Sequence, residues 1–177
     1  MKLSAPANVI VGLGSNIGDR KAFLARALDM IGKEAGRIVA SSSVWETEPW
    51  GFDAEELFLN MVIALDTSID PPHLIQRFRS IEGRMGRPKA EGKRGLAGRG
   101  IYESRIIDID ILLWGDRVIS IPGLEVPHPK IADRRFVLIP LCEVAPGAVH
   151  PVTGLTATEM LDMCDDRSDV RLAVEQL

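Results

Sequence analysis

The chain has 177 residues, 46% hydrophobic and 26% charged, a composition typical of one globular domain and unlike that of disordered or fibrous chains. A formal net charge of −4 argues against a general nucleic-acid binder, and the longest apolar runs are too short to cross a membrane. The first residues lack the apolar segment of a secretory signal, and the two cysteines have no metal-ligand or disulfide spacing, so we expect a cytoplasmic protein with free thiols.

The first part of the chain predicts the order strand, helix, strand, strand. A β-branched run ending in glycine predicts a strand over 8–14, and apolar residues at helical spacing predict a helix over 22–31 that Asp19 caps. Residues 38–47 and 57–65 predict the two strands of a hairpin, because polar turn residues separate them.

The middle of the chain predicts a helix, a long loop and another strand. The helix begins at Pro71 and ends by Gly86, and the strand covers 105–114. Residues 88–100 show no periodicity, and six of the chain's 16 glycines lie in 83–100. We therefore expect a loop over 88–100 that is mobile without ligand and closes over bound phosphates.

The element order βαββαβ predicts an α+β fold, the ferredoxin-like plait, with an antiparallel sheet and both helices packed on one face. Later residues add a short helix or strand near 135–141 and a helical piece around 157–164. The prediction is a single domain over 1–177 with a core of about 8–153.

A glycine motif joins the first strand to the first helix, from Gly12 to Gly18. Its spacing is G-x-G-x-x-x-G, unlike the G-x-G-x-x-G of dinucleotide-binding folds, and no P-loop lysine follows. The favoured interpretation is a tight turn in which glycines adopt positive φ and Ser15 or Asn16 bonds to the backbone.

Two carboxylates share one face of the strand over 105–114. Asp108 and Asp110 are two positions apart, so they point to the same side while the intervening isoleucines point to the other. Adjacent carboxylates repel each other, and such a pair suits Mg²⁺ that bridges phosphates, although exposed strand edges also carry acids. Arg105 lies at the start of this strand, and the segment 84–105 carries net charge +5. One compact polyanionic ligand explains these cations, as does a solvated basic loop.

An aromatic segment and a histidine complete the candidates. Residues 45–52, with Phe58 and Asn60 after them, suit either a flat heterocycle or a packed hairpin cap. His128 lies between two prolines and close to Arg134, which fits a phosphate contact or a structural histidine.

In combination these motifs resemble the 6-hydroxymethyl-7,8-dihydropterin pyrophosphokinase family over about residues 8–153. The matching segments are 14–19, 47–51, 58–60, 81–82, 86–87, 104–110, 126–129 and 134–136. The resemblance implies a ferredoxin-like monomer that transfers the β,γ-diphosphoryl group of ATP to the hydroxymethyl of a reduced pterin and releases AMP. It implies ATP and the reduced pterin as partners, with neither nucleic acid nor membrane.

The resemblance also implies roles for individual residues. Asp108 and Asp110 hold two Mg²⁺ ions and, with Arg87 and Arg105, form the catalytic group. The ATP site comprises Glu82, Arg87, Tyr102, Arg105, Ile111, His128 and Arg134. The pterin site comprises Thr47, Trp50, Phe58, Asn60 and Phe136. Tyr102 stands where the family usually has a tryptophan, and Lys89 where some members have an arginine.

Two other functions fit the same residues. A metal-dependent nucleotidyl transferase or cyclase also uses paired acids on such a sheet, but it does not need the aromatic segment. A regulatory module that binds a small molecule needs neither the acids nor the basic loop. Mg²⁺-dependent ATP consumption, measured with and without the reduced pterin, distinguishes the three.

Overall fold

The computed structural model describes residues 8–50, 56–86 and 105–177. Four helices and eight strands occur in these residues. They are, in chain order, β1 (Val9–Ser15), α1 (Arg20–Glu34), β2 (Arg37–Ser41), β3 (Val44–Thr47), β4 (Phe58–Asp66), α2 (Pro71–Arg84), β5 (Asp108–Trp114), β6 (Ile119–Ile121), β7 (Leu124–Val126), α3 (Arg135–Val144), α4 (Ala157–Met163) and β8 (Val170–Val174). The predicted loop over 88–100 lies outside the described residues.

The main sheet is antiparallel, in the order β5-β1-β4-β3-β8, with β2 also paired to β4. The predicted strand over 38–47 is divided into β2 and β3. Ser42 lies at the division, and its hydroxyl accepts a hydrogen bond from the backbone N–H of Val62 at 2.9 Å. A side-chain oxygen thus takes a position in the ladder that a backbone carbonyl usually fills, and the strand is interrupted there.

Helices α1 and α2 cover one face of the sheet. Asp19 caps α1 through the N–H of Ala22, as predicted, and Asp70 caps α2 through the N–H of His73. The helices bury their apolar faces against alternate residues of β1, β4 and β5, which include Val11, Ile63 and Ile111. This alternation leaves the other face of the same strands for a second layer.

Helices α3 and α4 cover part of that other face. Leu138 and Leu141 of α3 pack with Val62, Ala64 and Leu112 of the sheet. The sequence predicted elements at both positions but did not place them, and it missed the β6–β7 hairpin and β8. The α+β fold with an antiparallel sheet is confirmed, as are two free cysteines. Within the described ranges, no helix is both long and apolar enough to cross a membrane.

Candidate active site

A cavity of about 370 Å³ opens on the face of the sheet that also bears α3. It is lined by residues from β1, β3, β4, β5, the segment before α3, and α3 itself. Ten of the predicted site residues line it: Thr47, Trp50, Phe58, Asn60, Arg105, Asp108, Asp110, His128, Arg134 and Phe136. Residues far apart in the sequence are therefore brought to one place.

The floor of the cavity is set by the register of three strands. Gly14 of β1 lies opposite Asn60 of β4 on one side and Asp108 of β5 on the other, and Gly12 lies opposite Asp110. Neighbouring strands are about 4.8 Å apart, so the amide and the first carboxylate are separated by roughly 10 Å, with only glycine between them. This leaves open space above β1 for a ligand that reaches both.

The glycine motif has a different purpose from the predicted one. Gly12 and Gly14 lie within β1 and do not have positive φ, so the tight-turn interpretation is wrong for them; it holds for Gly18, at φ 67°. A Cβ on Gly14 would lie 2.9 Å from Oδ1 of Asn60. Glycine is needed here because a side chain would fill the cavity floor and displace Asn60.

The two carboxylates of β5 point into the cavity, and Ile107, Ile109 and Ile111 are buried on the opposite side, as predicted. Arg105 donates to Oδ2 of Asp108 at 2.6 Å. Burial and the charge of Asp108 raise the pKa of Asp110 to about 7, although Arg134 and Arg105 oppose the shift. Poor solvation and the neighbouring carboxylate thus disfavour the charged form of Asp110, and a cation bound beside the pair would offset that cost.

Glu82 and Ile111 were predicted on the ATP side and neither lines the cavity. The buried carboxylate of Glu82 accepts a hydrogen bond from the backbone N–H of Ile109 at 2.8 Å, so α2 holds the outer edge of β5. The side chain of Ile111 packs in the core under α1 and α2. This side chain is therefore not available to a ligand in the cavity.

His128 is held in a defined protonation state at the cavity wall. Its Nδ1 accepts from the backbone N–H of Lys130 at 3.1 Å, so a neutral ring carries its proton on Nε2. Burial and the nearby charge of Arg134 lower its pKa to about 4. The ring is therefore a neutral hydrogen-bond donor at physiological pH.

The aromatic wall is organised by Arg134. Its guanidinium carbon lies 5.0 Å from the ring centroid of Trp50 and 5.8 Å from that of Phe136. These are cation–π distances, and Arg134 is buried. Opposite, the amide of Asn60 donates to Oγ1 of Thr47 at 2.7 Å, which orients both polar groups. The cavity thus combines flat apolar surface with a fixed polar edge.

The model of the family described as 7,8-dihydro-6-hydroxymethylpterin-pyrophosphokinase (HPPK) matches residues 10–146. The chain belongs to this family. The family predicted from the sequence is confirmed, and with it the class of enzyme, an ATP-dependent pterin pyrophosphokinase of folate biosynthesis.

Two relatives carry the name 2-amino-4-hydroxy-6-hydroxymethyldihydropteridine pyrophosphokinase. The protein of Porphyromonas gingivalis is 43% identical over 148 residues, which cover 82% of this chain and 95% of the relative. The protein of Aquifex aeolicus is 38% identical over 146 residues, which cover 82% of this chain and 85% of the relative.

A similar fold occurs in the solved structure of wild-type Plasmodium falciparum HPPK-DHPS with STZ-DHP. The TM-score is 0.67 at 16% identity, with 88% of this chain and 42% of that chain covered. The chain therefore spans less than half the length of that HPPK-DHPS protein, and at this identity the likeness concerns the fold alone.

Among the candidates of the aromatic and basic segments, one lies away from the cavity and two lie outside the described residues. Trp45 was a candidate for stacking on a flat ring, but it does not line the cavity. Its indole N–H donates instead to Glu143 of α3 at 2.7 Å, because β3 packs beside that helix. Arg87 and Tyr102 lie outside the described residues, so their roles stay predictions.

Several residues that line the cavity were not assigned to a site from the sequence, although some lie in motifs noted there. They are Gly12, Leu13, Gly14, Glu48, Met61, Val62, Leu112, Pro129, Lys130 and Val137. The alternation of side chains along a strand could have predicted two of them. Val62 follows Asn60 by two positions and Leu112 follows Asp110 by two, so each lies on the same face as a predicted site residue. Lys130 and Val137 carry no such signal, since only the packing of α3 against the sheet brings them to the wall.

Proposed function

We propose that this chain transfers the β,γ-diphosphoryl group of ATP to 6-hydroxymethyl-7,8-dihydropterin, giving AMP and the pterin diphosphate in folate biosynthesis. Family membership supports the reaction. One observation supports placing the reaction in this cavity. On the cavity floor, only glycine residues of β1 lie between Asn60 and the carboxylates Asp108 and Asp110.

The transfer is a single displacement at the β-phosphorus of ATP. The hydroxymethyl oxygen of the pterin bonds to the β-phosphorus of ATP, and the bond from that phosphorus to the α,β-bridging oxygen breaks. AMP leaves with the bridging oxygen, and the hydroxyl proton passes to solvent. In such reactions a protein contributes mainly positioning and charge stabilisation.

We infer that Asp108 and Asp110 hold two Mg²⁺ ions together with the triphosphate. The donor set suits this: two hard carboxylates face one cavity, and poor solvation and the charge of Asp108 raise the pKa of Asp110, which a bound cation would counteract. Asp108 and Asp110 would be the protein ligands of these ions. When bound, the ions neutralise the triphosphate.

The cations around the carboxylates hold the phosphates. Arg105 already bonds to Asp108, which fixes its guanidinium at the cavity. His128 offers a neutral Nε2–H as a hydrogen-bond donor. Arg134 adds a positive charge between the carboxylates and the aromatic wall. Arg87 and Tyr102 are proposed to act with them on the basis of the family resemblance, as are Glu82 and the backbone of Ile111.

The pterin is proposed to lie against the aromatic wall with its polar edge at Asn60. Trp50, Phe58 and Phe136 supply flat apolar surface. The bond from Asn60 to Thr47 leaves one amide hydrogen and Oδ1 for the ring edge. A ring bound here must provide hydrogen-bond partners for these two groups of Asn60. The site therefore favours the pterin over rings that lack the matching donors and acceptors.

We also infer a ferredoxin-like core in a cytoplasmic, monomeric enzyme. The order β5-β1-β4, followed by β2 and β3, and the shared face of α1 and α2 support the plait. The monomer and the compartment rest on the resemblance, and light scattering of the purified protein tests the first.

The test of the function is product analysis. Purified protein is incubated with ATP and Mg²⁺, with and without 6-hydroxymethyl-7,8-dihydropterin, and nucleotides are separated by chromatography. We expect pterin-dependent AMP in amounts equal to the pterin diphosphate. Stoichiometric ADP, or AMP formed equally well without the pterin, contradicts the proposal.

A further inference from the structure

The N-terminus of α3 bears two residues of the active site, yet it does not cap itself. Arg134 is the N-cap residue and makes no capping hydrogen bond with its side chain. That side chain instead lies in the cavity, against Trp50 and Phe136. The exposed N–H groups of a first helical turn need another acceptor.

The acceptor comes from a distant part of the chain. Oδ2 of Asp166 accepts a hydrogen bond from the backbone N–H of Arg135 at 3.0 Å, across 31 positions of sequence. Its other oxygen, Oδ1, accepts from the N–H of Ser168 at 2.9 Å, which fixes the orientation of the carboxylate. A negative charge at this end of α3 also interacts favourably with the helix dipole.

The segment that carries Asp166 is anchored on both sides. Before it, Cys164 is buried with α3 and α4 in the second apolar cluster. After it, β8 pairs with β3, and Val170 lies opposite Thr47, a residue of the cavity. Asp166 is therefore part of a braced connection rather than a free tail. It also lies beyond residue 146, where the match to the family model ends.

We propose that Asp166 is a positioning residue for the transfer: by capping α3 it holds Arg134 and Phe136 in the geometry that binds the substrates. This inference rests on the proposed function. Without the cap, the first turn of α3 spends less time in the competent geometry, and apparent affinity falls in proportion to that population. Saturating substrate restores the geometry, so turnover at saturation changes little.

The test compares Asp166→Ala with Asp165→Ala, which removes the same charge from an exposed neighbour. We expect Asp166→Ala to raise the KM for the pterin roughly three- to tenfold with kcat within about twofold of wild type, and Asp165→Ala to change neither. Asp166→Asn retains one acceptor oxygen and falls between wild type and Asp166→Ala. If Asp166→Ala does not fold, Asp166→Asn replaces it in the comparison.

Two further measurements separate positioning from general destabilisation. Ile31→Val removes one methyl group from the core under the opposite face, and at a temperature where all variants are folded it should leave the KM unchanged. Hydrogen exchange at residues 135–138 should be faster in Asp166→Ala only. A lower melting temperature with unchanged KM, or an equal KM rise in Ile31→Val, overturns the inference.

A measurement of pterin binding tests the role of Asp166 independently of the proposed reaction. Calorimetric titration of 6-hydroxymethyl-7,8-dihydropterin, in the presence of a non-hydrolysable ATP analogue, should show the same three- to tenfold weakening in Asp166→Ala as a rise in Kd. If wild type binds the pterin but forms no AMP, the proposed function fails while this comparison still decides the role of Asp166. Equal Kd in both proteins rejects the role.

Discussion

The chemistry of single residues in this cavity depends on what lies beside them. Arg105 forms an ion pair with Asp108. Within the part of the chain that the structure describes, Asp110 has no comparable ion pair, and its pKa is raised. Two chemically identical groups on one strand face therefore differ in their environments. The difference follows from burial and from the position of one arginine.

Replacing either carboxylate should abolish turnover without unfolding the protein. We expect Asp108→Ala and Asp110→Ala each to lower kcat by roughly 10³-fold or more, because the triphosphate loses the ligands of its cations. Without metal, Asp110→Ala should have the higher melting temperature of the two, because it removes a poorly solvated carboxylate that Asp108 repels, whereas Asp108→Ala leaves Arg105 without its ion-pair partner.

Steady-state kinetics at saturating Mg²⁺ and thermal melting of the metal-free proteins check this. Asp116→Ala, on an exposed turn, is the control that should behave as wild type. Near-normal turnover in either cavity variant contradicts the assignment of the metal ligands.

Gly14 makes a sharper test of the cavity floor. A Cβ at this position would lie 2.9 Å from Oδ1 of Asn60, so Gly14→Ala must displace an amide that is bonded to Thr47. We expect the KM for the pterin to rise about tenfold, which corresponds to about 1.4 kcal/mol, with little change in the KM for ATP. Kinetics with each substrate varied in turn measure both.

The matched control is Gly32→Ala in α1, where an added Cβ would meet nothing within 4 Å apart from its chain neighbours and the backbone of its own helix. This variant should keep both KM values and gain stability of about 0.5–1 kcal/mol, because alanine is the better helix former. An unchanged pterin KM in Gly14→Ala would mean that the pterin does not use Asn60.

At the scale of elements, β5 is the edge strand that carries the carboxylates, and α2 fastens its outer side. The buried Glu82 accepts from the N–H of Ile109, midway between Asp108 and Asp110. We expect Glu82→Ala to cost about 1–3 kcal/mol of unfolding free energy, because that N–H loses a buried acceptor. Turnover should fall as well, since the strand face moves.

Glu82→Gln retains an acceptor oxygen and should recover most of the stability. Urea unfolding of the three proteins measures the cost, and circular dichroism confirms that the fold persists. Equal stability of wild type and Glu82→Ala would show that the edge of β5 does not depend on this bond.

Most helices and strands were predicted correctly because helical periodicity, strand alternation and capping residues depend only on residues close together in the sequence. The helical period and Asp19 predicted α1, which extends to Arg20–Glu34, beyond the predicted 22–31. Strand β8 was missed because its central residues are exposed and it forms only by pairing with β3. The carboxylate face of β5 was predictable from alternation, whereas the contact of Arg134 with Trp50 was not. It joins residues 84 positions apart through the packing of α3.

The whole molecule divides its sheet between two tasks. One face carries α1 and α2 over a continuous apolar core, and the other carries α3 beside an open cavity. Asp110 and His128, the two described groups whose pKa values depart far from the ordinary ones, both line the cavity on this second face. The pH dependence of folding stability should report on this face.

His128 gives a test with a defined sign. Its pKa is about 4 in the folded protein against 6.5 as the ordinary value, so on acidification the unfolded chain takes up the proton first. The stability that the neutral ring contributes is complete above pH 6.5 and is lost as pH falls toward about 4. Asp110 acts in the opposite sense, because its raised pKa lets the folded protein bind a proton below about pH 7.

A difference measurement separates these two effects, because Asp110 is present in both wild type and His128→Gln. Relative to His128→Gln, the unfolding free energy of metal-free wild type should fall by on the order of 2 kcal/mol between about pH 7 and about pH 4, allowing for solvent screening of a partly exposed ring. Urea unfolding across this range measures it. A pH-independent difference for His128→Gln would mean that His128 is not held neutral by burial and by Arg134.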